Sequence, residues 1–219
     1  MKVFALHGLP TSPRLWERIQ LPEGWTIDAP TCPGLGSEGT SEEWSLDYCV
    51  EQLQERAHNA DILVGHDMGG VIVAMMAKPG QRVVLSGTSL GAVYWAGIRM
   101  TALPLAHRFF YAKYAGKRFL RQGCLPEHAD ELLNAFGDHG PDWGDRMRRI
   151  AKGMRPPNDL IERLGGCDLH LAWGRSDPWY PARIYQQLSR KTGAQLHLLD
   201  AGHFAPWEDP VGFEKALRA

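Results

Sequence analysis

The sequence lacks a hydrophobic run long enough to cross a membrane. Its longest apolar stretches, such as VIVAMMA at residues 71–77, fall far short of the ~20 residues that a spanning helix needs. The apolar part of residues 1–10 is also too short for a secretory signal peptide. We therefore expect a cytoplasmic protein with no membrane partner.

Cysteine is scarce, and the cysteines that are present form no recognisable pair. Cys32, Cys49, Cys124 and Cys167 lie far apart, with no Cys-x-x-Cys spacing. This distribution favours reduced structural thiols over disulfides or a zinc site. The His-Glu-x-x-His spacing of metallohydrolases is absent as well, so the sequence predicts no metal.

An excess of either charge is also missing. The 24 Lys and Arg residues balance 25 Asp and Glu residues, for a formal net charge of −1. Without an overall basic field, nucleic acid is not an expected partner. We expect a small-molecule partner, and a monomer or homodimer.

What the sequence does have is an alternation of short apolar segments and helical patterns. With 219 residues, of which 44% are hydrophobic, the chain can form one well-packed domain. Six segments have the length and β-branched content of strands: residues 2–6, 25–29, 61–65, 82–86, 169–174 and 195–200. Residues 45–58, 68–77 and 181–191 are predicted helices. Strands that alternate with helices predict a mostly parallel sheet of about six strands with helices on both faces.

The first of these helices shows the pattern in detail. Leu46, Val50, Leu53 and Ala57 recur near helical spacing, and Ser45 stands where an N-cap is expected. This spacing predicts a helix over residues 45–58.

Residues 91–163 interrupt the alternation. They contain no strand signal but many helix formers and aromatic residues. We predict a helical cap over residues 91–163, inserted into a core made of residues 1–90 and 164–219.

Gly65-x-Asp67-x-Gly69 follows the third predicted strand and precedes an apolar helix. A sharp strand-to-helix turn of this kind forces its middle residue into a strained backbone conformation and pushes it into a cleft. It needs glycine two residues to either side because larger side chains would collide. The motif is a nucleophile elbow with Asp67 as the nucleophile; the alternative is that Asp67 only caps the helix.

Two later loops supply partners in the chain order expected for such an elbow, which is nucleophile, acid, histidine. Asp177 follows the fifth predicted strand in WGRSDPWYP, and His203 follows the sixth in LLDAGHFAPWEDP. The loop after the fourth strand, SGTSLGA, has no carboxylate. We therefore predict Asp177 as the acid that orients a catalytic His203.

The loop after the first strand, HGLPTSPRLW, resembles one that supplies a backbone donor to an oxyanion hole. The predicted donors are the N–H groups of Leu9 and of Met68, the residue after the nucleophile. His7, in contrast, is predicted to be a hydrogen-bonded structural residue.

A dinucleotide-binding motif is present only formally. Residues 34–39, GLGSEG, match Gly-x-Gly-x-x-Gly, but Pro30 and Pro33 precede them and TSEEW follows in place of an apolar helix. We therefore expect no nucleotide cofactor, and no other cofactor is predicted.

Together, the elbow, the two partner loops and the HGLP loop resemble the α/β-hydrolase family, and residues 91–163 stand where that family inserts its cap. An aspartate in the elbow with HGxP upstream is similar to the epoxide hydrolases and the haloalkane and haloacetate dehalogenases. The resemblance implies an α/β-hydrolase fold. Because His7 and Gly8 come too early for the usual two preceding strands, we expect a smaller sheet of about six strands that lacks one edge.

The aspartate suggests a specific chemistry. With an unperturbed pKa of ~3.9 it is already charged at neutral pH and needs no base to attack. It can displace a leaving group at saturated carbon and form an ester, which water activated by His203 then hydrolyses.

The leaving group depends on nearby donors. Haloalkane dehalogenases often hold the halide with side-chain N–H groups at the positions of Leu9 and Met68, which have none here. The predicted cap offers instead tyrosines that can protonate an epoxide oxygen and tryptophans that can hold a halide: Tyr94, Tyr111 and Tyr114, and Trp95 and Trp143. We expect an epoxide hydrolase, with a dehalogenase as the alternative.

Two other classes stay open. LVGHDMGG, residues 63–70, differs from a common serine-type elbow only at Asp67, so the chain is alternatively a relative of esterases or lactonases with Asp in place of Ser. It is also compatible with a ligand-binding protein that kept the fold without turnover.

Overall fold

A parallel sheet forms the centre of the molecule. The computed structural model describes residues 1–37, 40–91, 103, 115–140 and 142–219. Within these residues there are six strands: β1 Lys2–Leu6, β2 Thr26–Asp28, β3 Ile62–His66, β4 Arg82–Ser86, β5 Asp168–Gly174 and β6 Gln195–Leu199. Their order is β2-β1-β3-β4-β5-β6, and every neighbouring pair is parallel. The predicted parallel sheet of about six strands is confirmed.

The apolar composition of the strands follows from burial on both faces. In β1, Val3 and Ala5 belong to one hydrophobic cluster, and Phe4 and Leu6 belong to the other. Successive side chains of a strand point to opposite faces, so each face of the sheet has its own core. All five residues of β3 are buried, as expected for a central parallel strand.

Helices cover the sheet. Their bounds are α1 Leu46–His58, α2 Met68–Met76, α3 Ala115–Gly123, α4 Ala129–Phe136, α5 Trp143–Gly153, α6 Leu160–Arg163, α7 Ala182–Thr192, α8 Ala205–Glu208 and α9 Pro210–Arg218. Short 3-10 helices span Pro13–Trp16, Pro126–His128 and Leu164–Gly166. The three helices predicted from periodicity agree with α1, α2 and α7 to within one residue at each end.

Helix α1 begins at the predicted N-cap, and its regularly spaced apolar residues are not all equally buried. The Ser45 hydroxyl accepts a hydrogen bond from the Tyr48 N–H at 3.1 Å and caps the helix. Cys49 is fully buried, whereas Val50 is only partly buried. Both residues fit a helical spacing, and the rotation of the helix against the sheet selects Cys49.

The described part of residues 91–163 is helical and contains no strand, which agrees with the sequence pattern. The division into a core and a cap stays a prediction. Tyr94, Trp95, Tyr111 and Tyr114, predicted to contact substrate, lie outside the described residues. Among the described helices, none has the length and hydrophobicity to cross a membrane.

Candidate active site

Asp67 occupies the turn between β3 and α2. Its φ of 50° and ψ of −123° make it the one non-glycine residue with positive φ in the described part of the chain. A left-handed conformation at a residue with a Cβ is strained, and it persists only where the surroundings hold it. Here the Asp67 N–H donates to the Ser86 carbonyl at 3.0 Å, and the Thr88 hydroxyl donates to the Asp67 carbonyl at 2.7 Å.

The flanking glycines allow this turn to pack against the sheet. A Cβ on Gly65 would lie 2.5 Å from the Gly70 Cα, and one on Gly69 would lie 2.3 Å from the Leu6 carbonyl oxygen. Both separations are far below ordinary van der Waals contact. These collisions restrict both flanking positions of the predicted elbow to glycine.

The carboxylate of Asp67 is held on one side and open on the other. The Leu9 N–H donates to Oδ2 at 2.9 Å, and the Met68 N–H is close enough to favour the charged form of the carboxylate. Oδ1 faces the His203 Nε2 at 4.0 Å and the Tyr180 hydroxyl at 3.5 Å. The two predicted oxyanion-hole donors therefore both lie at Asp67.

His203 and Asp177 form a direct pair beneath this carboxylate. The His203 Nδ1–H donates to Asp177 Oδ2 at 2.9 Å, and each of these two side chains is 1% exposed. The second Asp177 oxygen, Oδ1, accepts the N–H groups of Trp179 at 2.9 Å and Tyr180 at 3.1 Å. Asp177 is thereby fixed by its own loop. The structure brings together the three side chains that the sequence predicts as nucleophile, base and acid.

Burial raises the pKa of Asp67 above its ordinary value. The His203 charge and the N–H groups of Met68 and Leu9 oppose that effect, whereas the charge of Asp177 adds to it. The expectation of an unperturbed carboxyl group is therefore corrected. The sequence shows a helix N-terminus at Asp67, which favours the charged form, but it does not show how completely the side chain is buried.

The pKa of His203 is also raised, but for a different reason. Burial alone would lower it, and the charge and hydrogen bond of Asp177 together with the charge of Asp67 outweigh burial. Asp177 therefore stabilises the protonated imidazole, which is the form that His203 has after it acts as a general base.

Two further histidines are structural. His7 is fully buried, its Nδ1–H donates to the Gly8 carbonyl at 3.1 Å, and its Nε2 accepts the Cys32 N–H at 3.0 Å. Burial lowers its pKa to about 4, which agrees with the predicted structural role. His66 donates from Nε2 to the His203 carbonyl at 3.0 Å and so holds the backbone of the histidine loop.

Sequence reasoning missed residues that shape the site through backbone or distant contacts. Gly87 has a φ of 52°, and a Cβ there would lie 2.9 Å from the His203 ring. The buried Glu208 carboxylate accepts the N–H groups of Leu125 at 2.7 Å, Gly202 at 3.0 Å and Phe204 at 2.9 Å. It therefore joins the loop after α3 to the loop of His203. The sequence shows that Tyr180 lies three residues after Asp177, but no sequence pattern shows where its hydroxyl points.

Trp143 is the one predicted substrate contact that lies within the described residues. It lines a cavity of 630 Å³ bordered by residues 10–13, directly after Leu9, and it stacks on His139 with ring centroids 4.2 Å apart. Within the described part of the chain, its buried indole N–H has no hydrogen-bond partner. A role for Trp143 in binding substrate stays a prediction.

The described residues contain no group of three or more His, Cys, Asp or Glu side chains arranged to hold a metal ion. Of the four cysteine thiols, those of Cys32 and Cys49 are buried and the other two are partly buried. The candidate site is built from the Asp67 carboxylate, the pair of His203 and Asp177, and the backbone N–H groups beside Asp67.

Solved structures with quite different described activities share this fold. A thermophilic esterase from Thermogutta terrifontis is 18% identical, with a TM-score of 0.80 over 100% of this chain and 88% of its own. The enol-lactonase from Burkholderia xenovorans LB400 is 16% identical, with a TM-score of 0.74 over 98% of this chain and 88% of its own. A bromoperoxidase from Bacillus anthracis is 18% identical, with a TM-score of 0.74 over 99% of this chain and 90% of its own. At these identities the likeness establishes the fold and leaves the substrate open.

A comparison with curated protein sequences gives no match. The family model described as the alpha/beta hydrolase family matches residues 3–216, nearly the whole chain. The strand order, the strained elbow and this match agree, and the chain belongs to the alpha/beta hydrolase family.

Proposed function

We propose that the protein is a hydrolase that opens a small epoxide through a covalent ester on Asp67. The observation that carries the proposal is the asymmetry of the Asp67 carboxylate. Oδ2 is bound by the Leu9 N–H at 2.9 Å, whereas Oδ1 faces His203 and Tyr180. Oδ1 is therefore the oxygen that attacks the substrate carbon.

The distance between Asp67 and His203 supports attack by a carboxylate. At 4.0 Å, Oδ1 and Nε2 are farther apart than a direct hydrogen bond. A hydroxyl nucleophile must give its proton to the histidine, but an ionised carboxylate has no proton to give. His203 then serves only the second step, in which it removes a proton from water.

In that second step, water attacks the Asp67 Cγ and negative charge develops on Oδ2. The Leu9 N–H already bonds Oδ2 at 2.9 Å and the Met68 N–H favours the charged carboxylate, so both can stabilise the developing charge without rearrangement. Asp177 keeps the imidazole oriented and favours its protonated form.

An epoxide is favoured over a halide by the side chains beside the nucleophile. The Met68 side chain is fully buried and has no N–H, and Leu9 likewise offers only its backbone. The tyrosines proposed to protonate the epoxide oxygen are Tyr94, Tyr111 and Tyr114. A dehalogenase is the alternative within the same covalent mechanism, and it would need donors such as Trp95 and Trp143.

The second candidate is a relative of ester or lactone hydrolases in which Asp67 replaces the serine nucleophile. The observation that favours it is the similarity in fold to structures described as an esterase and an enol-lactonase. In this case Asp67 would form no alkyl ester, and a serine at the elbow would restore acyl transfer.

A single turnover in heavy-oxygen water tests the proposal. With excess enzyme and styrene oxide, we expect labelled oxygen in the Asp67 carboxylate, because water attacks Cγ, and no label in the peptide that contains Asp177. His203→Gln should accumulate the unhydrolysed ester, and Asp67→Ala should form none while remaining folded. Mass spectrometry of the digested protein measures all three.

The same experiment separates the candidates. Label in the product diol alone would contradict the covalent route. If wild-type enzyme forms no adduct with any epoxide or haloalkane, and Asp67→Ser gains hydrolysis of 4-nitrophenyl acetate, the esterase relative is the correct assignment.

A further inference from the structure

Tyr180 contacts each of the three side chains of the candidate site. Its hydroxyl lies 3.5 Å from Asp67 Oδ1, and its N–H donates to Asp177 Oδ1 at 3.1 Å. Its ring is stacked on the His203 ring, with centroids 5.5 Å apart and planes 20° apart. The whole residue is 1% exposed. A phenol placed so completely inside the site is in a position to take part in the reaction.

The oxygen that the hydroxyl faces has a defined fate, given the proposed covalent mechanism on which this inference rests. If Oδ1 attacks, it becomes the single-bonded oxygen of the ester, and Oδ2 becomes the carbonyl oxygen. When water has added to Cγ, the bond between Cγ and Oδ1 breaks and Oδ1 leaves with the product. An alkoxide is a poor leaving group, so this oxygen needs a proton as the bond breaks.

We propose that the Tyr180 hydroxyl donates that proton. His203 first takes a proton from water, and the hydroxide adds to Cγ. As Cγ–Oδ1 breaks, its electron pair stays on Oδ1 and the proton of Tyr180 moves to that oxygen, which gives the alcohol. The proton that His203 took from water then moves to the tyrosinate, which restores both side chains. The Asp67 carboxyl group now contains the oxygen of water, and it releases its proton to solvent.

The geometry assigns Tyr180 to this step and not to the opening of the epoxide. In a displacement at saturated carbon, the departing oxygen lies on the side of the carbon opposite to the attacking oxygen. The Tyr180 hydroxyl lies beside Oδ1 itself. The 3.5 Å separation is long for a hydrogen bond, and contacts of this kind shorten in the reacting complex.

Tyr180→Phe tests the proposal because it keeps the ring stacked on His203 and removes only the hydroxyl. In a single turnover with styrene oxide, we expect ester formation within about threefold of the wild-type rate. Ester hydrolysis should slow by roughly 10²-fold or more, the range of general acid catalysis, so that the adduct accumulates. Tyr185→Phe is the matched control: Tyr185 is also buried and packs on Trp173, and its variant should keep both rates.

A second readout distinguishes proton donation from a structural effect. Electron-withdrawing substituents on the epoxide lower the pKa of the product alcohol, so its oxygen needs less help to leave. The slowing in Tyr180→Phe should therefore shrink along a series of such substrates, whereas a distorted site would slow all of them equally.

The outcomes are separable from those for the proposed function. If wild-type enzyme forms no ester, the proposed function fails and Tyr180 has no such step to serve. If wild-type enzyme forms the ester but Tyr180→Phe slows its formation and not its hydrolysis, or changes neither rate, the role of Tyr180 is refuted while the covalent mechanism stands.

Discussion

At the scale of single residues, burial and charge act against each other in the candidate site. For Asp67, burial prevails and the pKa is raised; for His203, the neighbouring carboxylates prevail over burial and the pKa is raised as well. Both groups are needed in their deprotonated forms, since Asp67 attacks as an anion and His203 accepts a proton as a neutral base. Both requirements are met more fully as pH rises.

This leads to a prediction for the pH dependence of the two half-reactions. Ester formation should increase with pH through a midpoint above the ordinary aspartate value of 3.8. Ester hydrolysis should increase through a higher midpoint, which is the pKa of His203 in the ester. In the ester, Asp67 is no longer charged, so the raised pKa of His203 then depends on Asp177. Single-turnover rates between about pH 4 and pH 9 measure both midpoints.

Asp177→Asn provides the control for this assignment. It removes the charge that raises the His203 pKa and leaves the burial that lowers it, so the midpoint of hydrolysis should fall below that of the wild type. A midpoint that Asp177→Asn leaves in place would show that another group limits hydrolysis.

At the scale of elements, the site depends on how closely α2 approaches β1. Gly69, in the first turn of α2, has its Cα so near the end of β1 that a Cβ would lie 2.3 Å from the Leu6 carbonyl oxygen and 2.5 Å from that of His7. The same approach brings Asp67 to the Leu9 N–H at 2.9 Å. A residue that separates α2 from β1 therefore disturbs both the packing and the candidate oxyanion hole.

Gly69→Ala is predicted to lower the free energy of unfolding by about 1–3 kcal/mol, the usual cost of overpacking, and to reduce ester formation. Gly165→Ala is the matched control, because a Cβ at Gly165 meets nothing within 4 Å and its φ is not in the left-handed region. Chemical denaturation of both variants measures the difference. Equal stability of the two would mean that β1 moves away without cost.

At the scale of the whole molecule, charge is unevenly divided along the chain. Residues 91–163 carry 12 Lys and Arg against 8 Asp and Glu, whereas the remaining residues carry 12 against 17. In the described part of this segment, Lys117, Arg118 and Arg121 are exposed on α3, and Leu120 of the same helix is fully buried. This arrangement is that of an amphipathic helix with a solvated basic face.

We therefore predict that kcat/KM for a neutral epoxide such as styrene oxide will not change with ionic strength. Attraction of a charged substrate is screened over a Debye length of ~8 Å near physiological salt, and a neutral substrate has no such attraction to lose. Initial rates measured across a range of sodium chloride concentrations test this. A steep decrease for carboxylated epoxides or haloacids, together with high activity on them, would instead indicate an anionic substrate steered by the basic face.

The sequence by itself determined the strands, the elbow and the order of its partners. Each strand is a short apolar run because a parallel sheet buries both of its faces, and this composition is readable without coordinates. Gly65 and Gly69 around Asp67 indicate the elbow, because only glycine permits so tight a turn. Asp177 and His203 were found because each follows a strand, and the carboxyl ends of parallel strands meet at one edge of the sheet.

The tertiary structure decided what depends on contacts between distant segments. It placed the Tyr180 hydroxyl at Asp67 Oδ1 across 113 residues of chain and buried Asp67 deeply enough to raise its pKa. It also selected Cys49 over Val50 on the buried face of α1. Periodicity and motif spacing describe one segment at a time, whereas the direction of a side chain and the loss of its water depend on every element packed around it.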